Sequence, residues 1–230
     1  MIINRGLIVS CQALQGNPLR HSESLAKMAK CAELGGAVAI RANGYDDITA
    51  MKKQVSIPII GLNKLKDENG KVVITPSFAA AEEIAKAGAD MIAMDFTDYP
   101  SSIRENPEGL IQRIHNELNL PVMADISTVS EAVFASNCGA DLVSTTLAGY
   151  QPNAPYKPDE KYVPDLNLIR EIMNSGIKCP LIAEGRFWRI EDINSAFELG
   201  VYGVVIGKAI TNPIAITQYY TSQIHLGGAL

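Results

Sequence analysis

Short apolar runs recur along the chain, each closed by polar or charged residues and followed by a stretch of helical character. Residues 179–183, Cys-Pro-Leu-Ile-Ala, show the pattern, and Glu184, Gly185 and Arg186 end it. A run without alternation suits a strand covered on both faces, as strands of parallel sheets are. Similar runs lie at 6–10, 37–40, 57–62, 90–94, 120–124, 141–146 and 200–206. Helices are predicted between them, over 22–33 behind a His21 or Ser22 cap, 45–54, 77–88, 107–118, a stretch ending near Gly139, 165–175, one through Phe197, and a last one from Asn212. Asn69-Gly70 before Val72-Val73-Ile74 predicts a small hairpin inside the polar loop 65–75.

The punctuation alternates. Pro58, Pro121 and Pro180 open the third, fifth and seventh runs, whereas Gly36, Gly88, Gly139 and Gly200 end the helices before the second, fourth, sixth and eighth. A strand–helix unit repeated eight times in 230 residues predicts a single-domain (β/α)₈ TIM barrel over residues 1–224, with 225–230 as a loose tail. The alternative is an open doubly wound sheet, but no GxGxxG turn follows the first run.

Composition narrows the function classes. Apolar residues make up 47% of the chain and its net charge is −5, so no basic excess exists to track nucleic acid. The four cysteines show no CxxC or metal-ligand spacing, and the three histidines do not cluster, so no metal site is expected. The chain opens without the basic start and apolar core of a signal peptide, and no apolar stretch is long enough for a membrane span, which points to the cytoplasm.

In such a barrel the residues just past each strand build the active face. Here they are Gln12, Arg41, Lys64, Asp95, Asp125, Thr145–Thr146, Glu184–Arg186 and Gly207–Lys208. Singly, each reads equally well as a solvated loop residue or a structural ion pair. Together they place cations and carboxylates on one face. Lys64 can shuttle a proton if an apolar surround or Arg41 lowers its pKa, with Glu184 as the acid–base counterpart or a hydrogen-bond acceptor, although Schiff-base formation or plain charge pairing would also place a lysine there. Gly185-Arg186 and Gly207-Lys208, after the last two strands, fit phosphate binding through exposed N–H groups and positive charge. Asp46-Asp47 and Glu82-Glu83 are expected to be exposed helix charges, and Phe187 and Trp188 to pack a loop.

Segments 7–14, 39–44, 124–128, 143–150 and 183–186 (Leu-Ile-Val-Ser-Cys-Gln-Ala-Leu, Ala-Ile-Arg-Ala-Asn-Gly, Ala-Asp-Ile-Ser-Thr, Val-Ser-Thr-Thr-Leu-Ala-Gly-Tyr and Ala-Glu-Gly-Arg) together resemble the bacterial N-acetylmannosamine-6-phosphate 2-epimerases. The similarity covers essentially the whole chain. It implies a TIM barrel that interconverts N-acetylmannosamine 6-phosphate and N-acetylglucosamine 6-phosphate at C2 in sialic acid catabolism, without a redox cofactor. It also implies that Lys64 removes and returns the C2 proton, that Glu184 handles substrate oxygens, that Gln12, Arg41 and Asp125 contact the sugar, and that Gly185-Arg186 and the Gly207 region face the phosphate. Thr145 is carried as a further substrate-binding candidate. One departure stands out: Gly207-Lys208-Ala209-Ile210-Thr211-Asn212-Pro213 has lysine where the family pattern has a small residue and Asn212 where it has arginine, so Lys208 is expected to supply the displaced charge. The rivals are another phosphosugar barrel enzyme and a phosphosugar sensor without catalysis. A homodimer is expected, since twofold assemblies are the commonest.

Overall fold

The computed structural model describes residues 3–150 and 161–224; the expected tail, 225–230, lies outside them. Strands β1 (Gly6–Ser10), β2 (Ala39–Asn43) and β3 (Ile59–Leu62) come first. A short pair, β4 (Lys64–Lys66) and β5 (Val72–Ile74), then leaves the wall before β6 (Met91–Asp95), β7 (Val122–Asp125), β8 (Leu142–Ser144), β9 (Leu181–Glu184) and β10 (Gly203–Ile206). All except β4 and β5 close into one parallel barrel in the order β1-β10-β9-β8-β7-β6-β3-β2. Closure leaves the barrel sheet without an exposed edge.

Each wall strand is buried on both faces, which explains why the sequence shows runs and no alternation. The period of two nevertheless decides where every side chain goes. Ile8, Ala39, Ile60, Met91, Met123, Leu142, Ile182 and Val205 belong to one cluster that plugs the barrel. Their neighbours Val9, Ile40, Ile59, Ile92, Val122, Val143, Leu181 and Val204 join the larger cluster between strands and helices. Two residues beyond the plug, on the same inward parity, stand Ser10, Arg41, Asp125, Ser144, Glu184 and Gly207.

Helices α1 (Ser22–Leu34), α2 (Tyr45–Lys52), α3 (Phe78–Lys86), α4 (Pro107–Arg113), α5 (Val129–Asn137), α6 (Leu166–Asn174) and α7 (Ile190–Glu198) surround the wall, and α8 (Lys208–Thr211) and α9 (Pro213–Gln223) end the chain. Local chemistry starts several of them. Ser77 accepts a hydrogen bond from Ala80 N–H, Asp165 accepts from Leu168 N–H, and Thr128 with Glu131 forms a reciprocal capping box. The wall and the helices approach closely at Gly61, where an added Cβ would stand 3.0 Å from the Ile48 Cδ1 of α2.

Several expectations need correction. Neither His21 nor Ser22 caps α1 with its side chain; the Ser22 hydroxyl donates to Asp47 instead, at 2.6 Å. Asp47 is buried rather than an exposed helix charge, and it also pairs with Arg20 at 3.0 Å. The single helix expected over 107–118 ends at Arg113 as an α-helix and continues as a π-helical turn, Ile114–Leu118, stopped by Asn119 at φ 53°. The second strand runs to Asn43 rather than Ile40, so Arg41 lies inside it.

Candidate active site

Arg41, Asp125 and Glu184 sit on the wall itself, not on loops. Asp125 and Glu184 are the last residues of β7 and β9, so rigid strands hold all three groups. The Arg41 side chain is 1% exposed and donates to both carboxylates, reaching Asp125 Oδ1 and Glu184 Oε2 at 2.9 Å each, with a second, closer bond to Asp125 Oδ2. Thr146 stands among them. Its hydroxyl accepts from Arg41 at 3.1 Å and lies 2.7 Å from Asp125 Oδ1 and 2.9 Å from Glu184 Oε2, so its one proton serves either carboxylate. The Ser144 hydroxyl, at 2.9 Å, extends the network.

Burial alone would drive charge out of this cluster, and the ion contacts oppose it. For Arg41 the desolvation cost is outweighed by Asp125 and Glu184, which hold the guanidinium protonated. Burial raises the Glu184 carboxyl above the usual carboxylate range, although Arg41 and the Thr146 hydroxyl pull it back. Asp95, the Cα partner of Asp125 across the β6–β7 ladder, is also raised by burial, but its carboxylate is engaged by Thr97 at 2.7 Å and Arg104 at 3.3 Å.

Lys64 approaches from the neighbouring arm. Its Nζ donates to the Gln12 side-chain Oε1 at 2.7 Å, and the Gln12 Nε2 donates to the Ser10 hydroxyl at 2.9 Å. Ser10 is the register partner of Arg41, which brings the lysine chain beside the buried cluster. The surrounding protein and then the Arg41 charge lower the Lys64 pKa, while Glu184 and Asp125 raise it. Lys64 still meets solvent through the open barrel end, which moderates these effects.

The structure therefore brings Gln12, Arg41, Lys64, Asp125 and Glu184 to one mouth. Thr145 is next to it but turned to the main chain: its hydroxyl donates to the Glu184 carbonyl and accepts from the Glu184 N–H, both at 2.9 Å. Thr146, Ser144 and Ser10 complete the network. The parity of two steps beyond the apolar plug would have found Ser144 and Ser10 in the sequence, whereas Thr146 is already among the residues expected past the sixth strand. Gly185 and Arg186 make the turn after β9 at φ 117° and 61°, both left-handed. The Arg186 guanidinium donates to Ala148 and Val163 carbonyls at 3.3 and 3.2 Å, on the two limbs of the loop after β8. Gly207 caps α8 and Lys208 is its exposed first residue. Lys208 is close enough for its charge to bear on Lys64. Asn212, the departure from the resembled pattern, caps α9 by accepting from Ala215 N–H at 3.1 Å.

Among the described residues no group of histidine, cysteine and carboxylate side chains could hold a metal ion. Nor is any of their helices long and apolar enough to cross a membrane.

A family profile described as N-acetylmannosamine-6-phosphate epimerase (NanE) matches residues 25–226. The chain belongs to this family. A relative from Caldanaerobacter subterraneus subsp. tengcongensis, named as an N-acetylmannosamine-6-phosphate 2-epimerase, is 46% identical over 223 residues, 96% of this chain and 92% of the relative. One of the same name from Cutibacterium acnes is 42% identical, over 95% and 93% of the two chains. The solved N-acetylmannosamine-6-phosphate 2-epimerase of Clostridium perfringens superposes with a TM-score of 0.90 at 38% identity, over 97% of this chain and 95% of that one. A thiamine phosphate pyrophosphorylase from Pyrococcus furiosus, TM-score 0.61 at 16% identity, shares the barrel fold alone. The single-domain TIM barrel read from the sequence is thus the fold of this NanE family member.

Proposed function

We propose that this NanE family member interconverts N-acetylmannosamine 6-phosphate and N-acetylglucosamine 6-phosphate by exchanging the C2 proton. The observation that carries the reading is the convergence in one barrel mouth of Lys64, held by the Gln12 side chain, and Glu184, held by Arg41; burial lowers the pKa of the lysine and raises that of the carboxyl. Proton removal beside a carbonyl needs that pairing, because base and acid must both be available near neutral pH. A C2 proton becomes acidic only when C1 is a free carbonyl, so the open-chain sugar reacts. Lys64 takes the C2 proton and returns it to the opposite face, and in between its ammonium stands near the enolate oxygen. Glu184, held by Arg41, handles substrate oxygens, Gln12 and Asp125 serve the sugar, and Thr145 acts through the Glu184 main chain that its hydroxyl holds. Gly185, Arg186, Gly207 and Lys208 take the phosphate end, with Lys208 supplying charge where Asn212 has none. No cofactor takes part. The reaction belongs to amino sugar catabolism in the cytoplasm, where the free cysteines stay reduced. The enzyme works as a homodimer; support comes from α9, which buries no residue and exposes Ile214 and Tyr220.

Proton NMR of N-acetylmannosamine 6-phosphate in D₂O tests the reading. The expected result is conversion to the gluco epimer with deuterium at C2, abolished in Lys64→Ala. Because the base acts as the neutral amine, kcat/KM should rise with pH through a pKa below the ordinary lysine value of about 10.4. Binding without exchange would leave a phosphosugar sensor in place of an enzyme.

A further inference from the structure

Lys64 stands on an arm, not on the barrel wall. The arm runs from β4 through the Asn69-Gly70 turn and back along β5, pairing Lys64 with Ile74. Its base is a three-way junction built on Thr75. The Thr75 N–H donates to the Asn63 carbonyl at 2.7 Å. The Thr75 hydroxyl accepts from the Asn63 N–H at 3.0 Å and donates to the Ala93 carbonyl of β6 at 2.6 Å. One residue thus joins the chain entering the arm, the chain leaving it and the wall strand behind it. Next to this junction the Lys64 N–H donates to the Asn43 side chain at 2.9 Å, at the end of β2.

Thr75 is fully buried and has φ 44°, a left-handed conformation that a β-branched residue adopts only under strain. Glycine would satisfy the backbone at no steric cost. What glycine lacks is the hydroxyl, and that hydroxyl gives partners to a buried N–H and a buried carbonyl at once. Strain of this kind persists where the surroundings over-determine it, and here it sits one residue from the arm that presents the lysine.

We propose that Thr75 is a positioning residue for Lys64: its hydroxyl locks Asn63, at the entry of the β4–β5 arm, to β6, and so fixes where the lysine amine stands in the barrel mouth. The inference rests on the proposed C2 proton transfer with Lys64 as base. The groups acting on that amine are Arg41, Glu184, Asp125 and Lys208, all on other elements, so any drift of the arm changes the lysine's surroundings.

Three substitutions separate positioning from plain stability. Thr75→Ser keeps the hydroxyl. Thr75→Val keeps the shape without it. Thr75→Gly loses it while relieving the backbone, so it tests the idea even where the valine variant does not fold. Thr75→Ser is expected to keep kcat within about twofold, and Thr75→Gly to lose about tenfold or more with KM nearly unchanged, since small misplacements of a reacting group are costly. Titration of Lys64 in substrate-free protein, followed by carbon NMR of labelled lysine and assigned with Lys64→Arg, should move upward in Thr75→Gly and stay in place in Thr75→Ser. A wild-type kcat or an unmoved titration in Thr75→Gly overturns the inference, as does a serine variant that loses as much as glycine. Absence of C2 exchange in the wild-type protein would overturn the proposed function instead, and the lysine titration would still decide the positioning role.

Discussion

Replacing Arg41 with methionine probes the electrostatic centre of the barrel mouth. The substitution keeps an unbranched, flexible stem and removes the guanidinium of a side chain that is 1% exposed. Asp125, 0% exposed, and Glu184, 18% exposed, would then face each other across Thr146 with no cation between them. Removing one partner of a buried pair costs about 3–5 kcal/mol, because the remaining charge is left desolvated and unpaired. At about 2–4 °C per kcal/mol for a domain of this size, Tm should fall by roughly 6–20 °C at pH 8. The pH dependence has a definite sign. Burial already raises the Glu184 carboxyl, and Arg41 opposes that rise. Without Arg41 the folded-state pKa climbs further above the unfolded value of about 4.3. Such a group contributes stability that is fully present below the unfolded pKa and lost as pH rises through the folded one. The deficit of Arg41→Met relative to wild type should therefore be largest at pH 8 and shrink toward pH 5. Urea unfolding at both pH values measures it. A deficit below about 1 kcal/mol at pH 8, or one that grows on acidification, would refute the claim that an uncompensated carboxylate pair dominates the site.

Other outcomes follow from single contacts. Gln12→Leu removes the acceptor 2.7 Å from the Lys64 amine; kcat/KM should drop by about tenfold, roughly 1.4 kcal/mol, while thermal unfolding stays near wild type. Gly61→Ala would place a Cβ 2.6 Å from Ala89 Cβ and 3.0 Å from Ile48 Cδ1; calorimetry should show about 1–3 kcal/mol of lost stability, with the turnover of folded protein retained. Burial pushes the Cys11 thiol up to about 12, whereas Cys31 is exposed. A disulfide reagent at pH 8 should label Cys31 at once and Cys11 only after unfolding, and prompt labelling of Cys11 in folded protein would contradict its placement.

Punctuation and composition are local, and the sequence determined what depends on them. Proline before β3, β7 and β9, glycine at the helix ends, and unalternating apolar runs specify parallel strands joined by helices, and eight such units leave a closed barrel as the economical arrangement. The position of a residue at the end of its run then named Gln12, Arg41, Lys64, Asp125 and Glu184 before any contact was known. What the hydroxyls and guanidinium groups bond to was settled only by tertiary structure. Arg41 meets Asp125 and Glu184 across 84 and 143 residues of chain, and the closure of the barrel alone brings those strands together. Pairing of β8 with β7 and β9 turns the Thr145 hydroxyl onto the Glu184 main chain and brings Thr146 between the two carboxylates. The same neighbouring strands set the Arg186 guanidinium against the loop after β8, and the packing of α1 against α2 buries Asp47 under Arg20 and Ser22. Pattern along the chain reports which side chains prefer burial. Which polar groups find each other depends on distances between strands remote in sequence, and that geometry exists only once the barrel has closed.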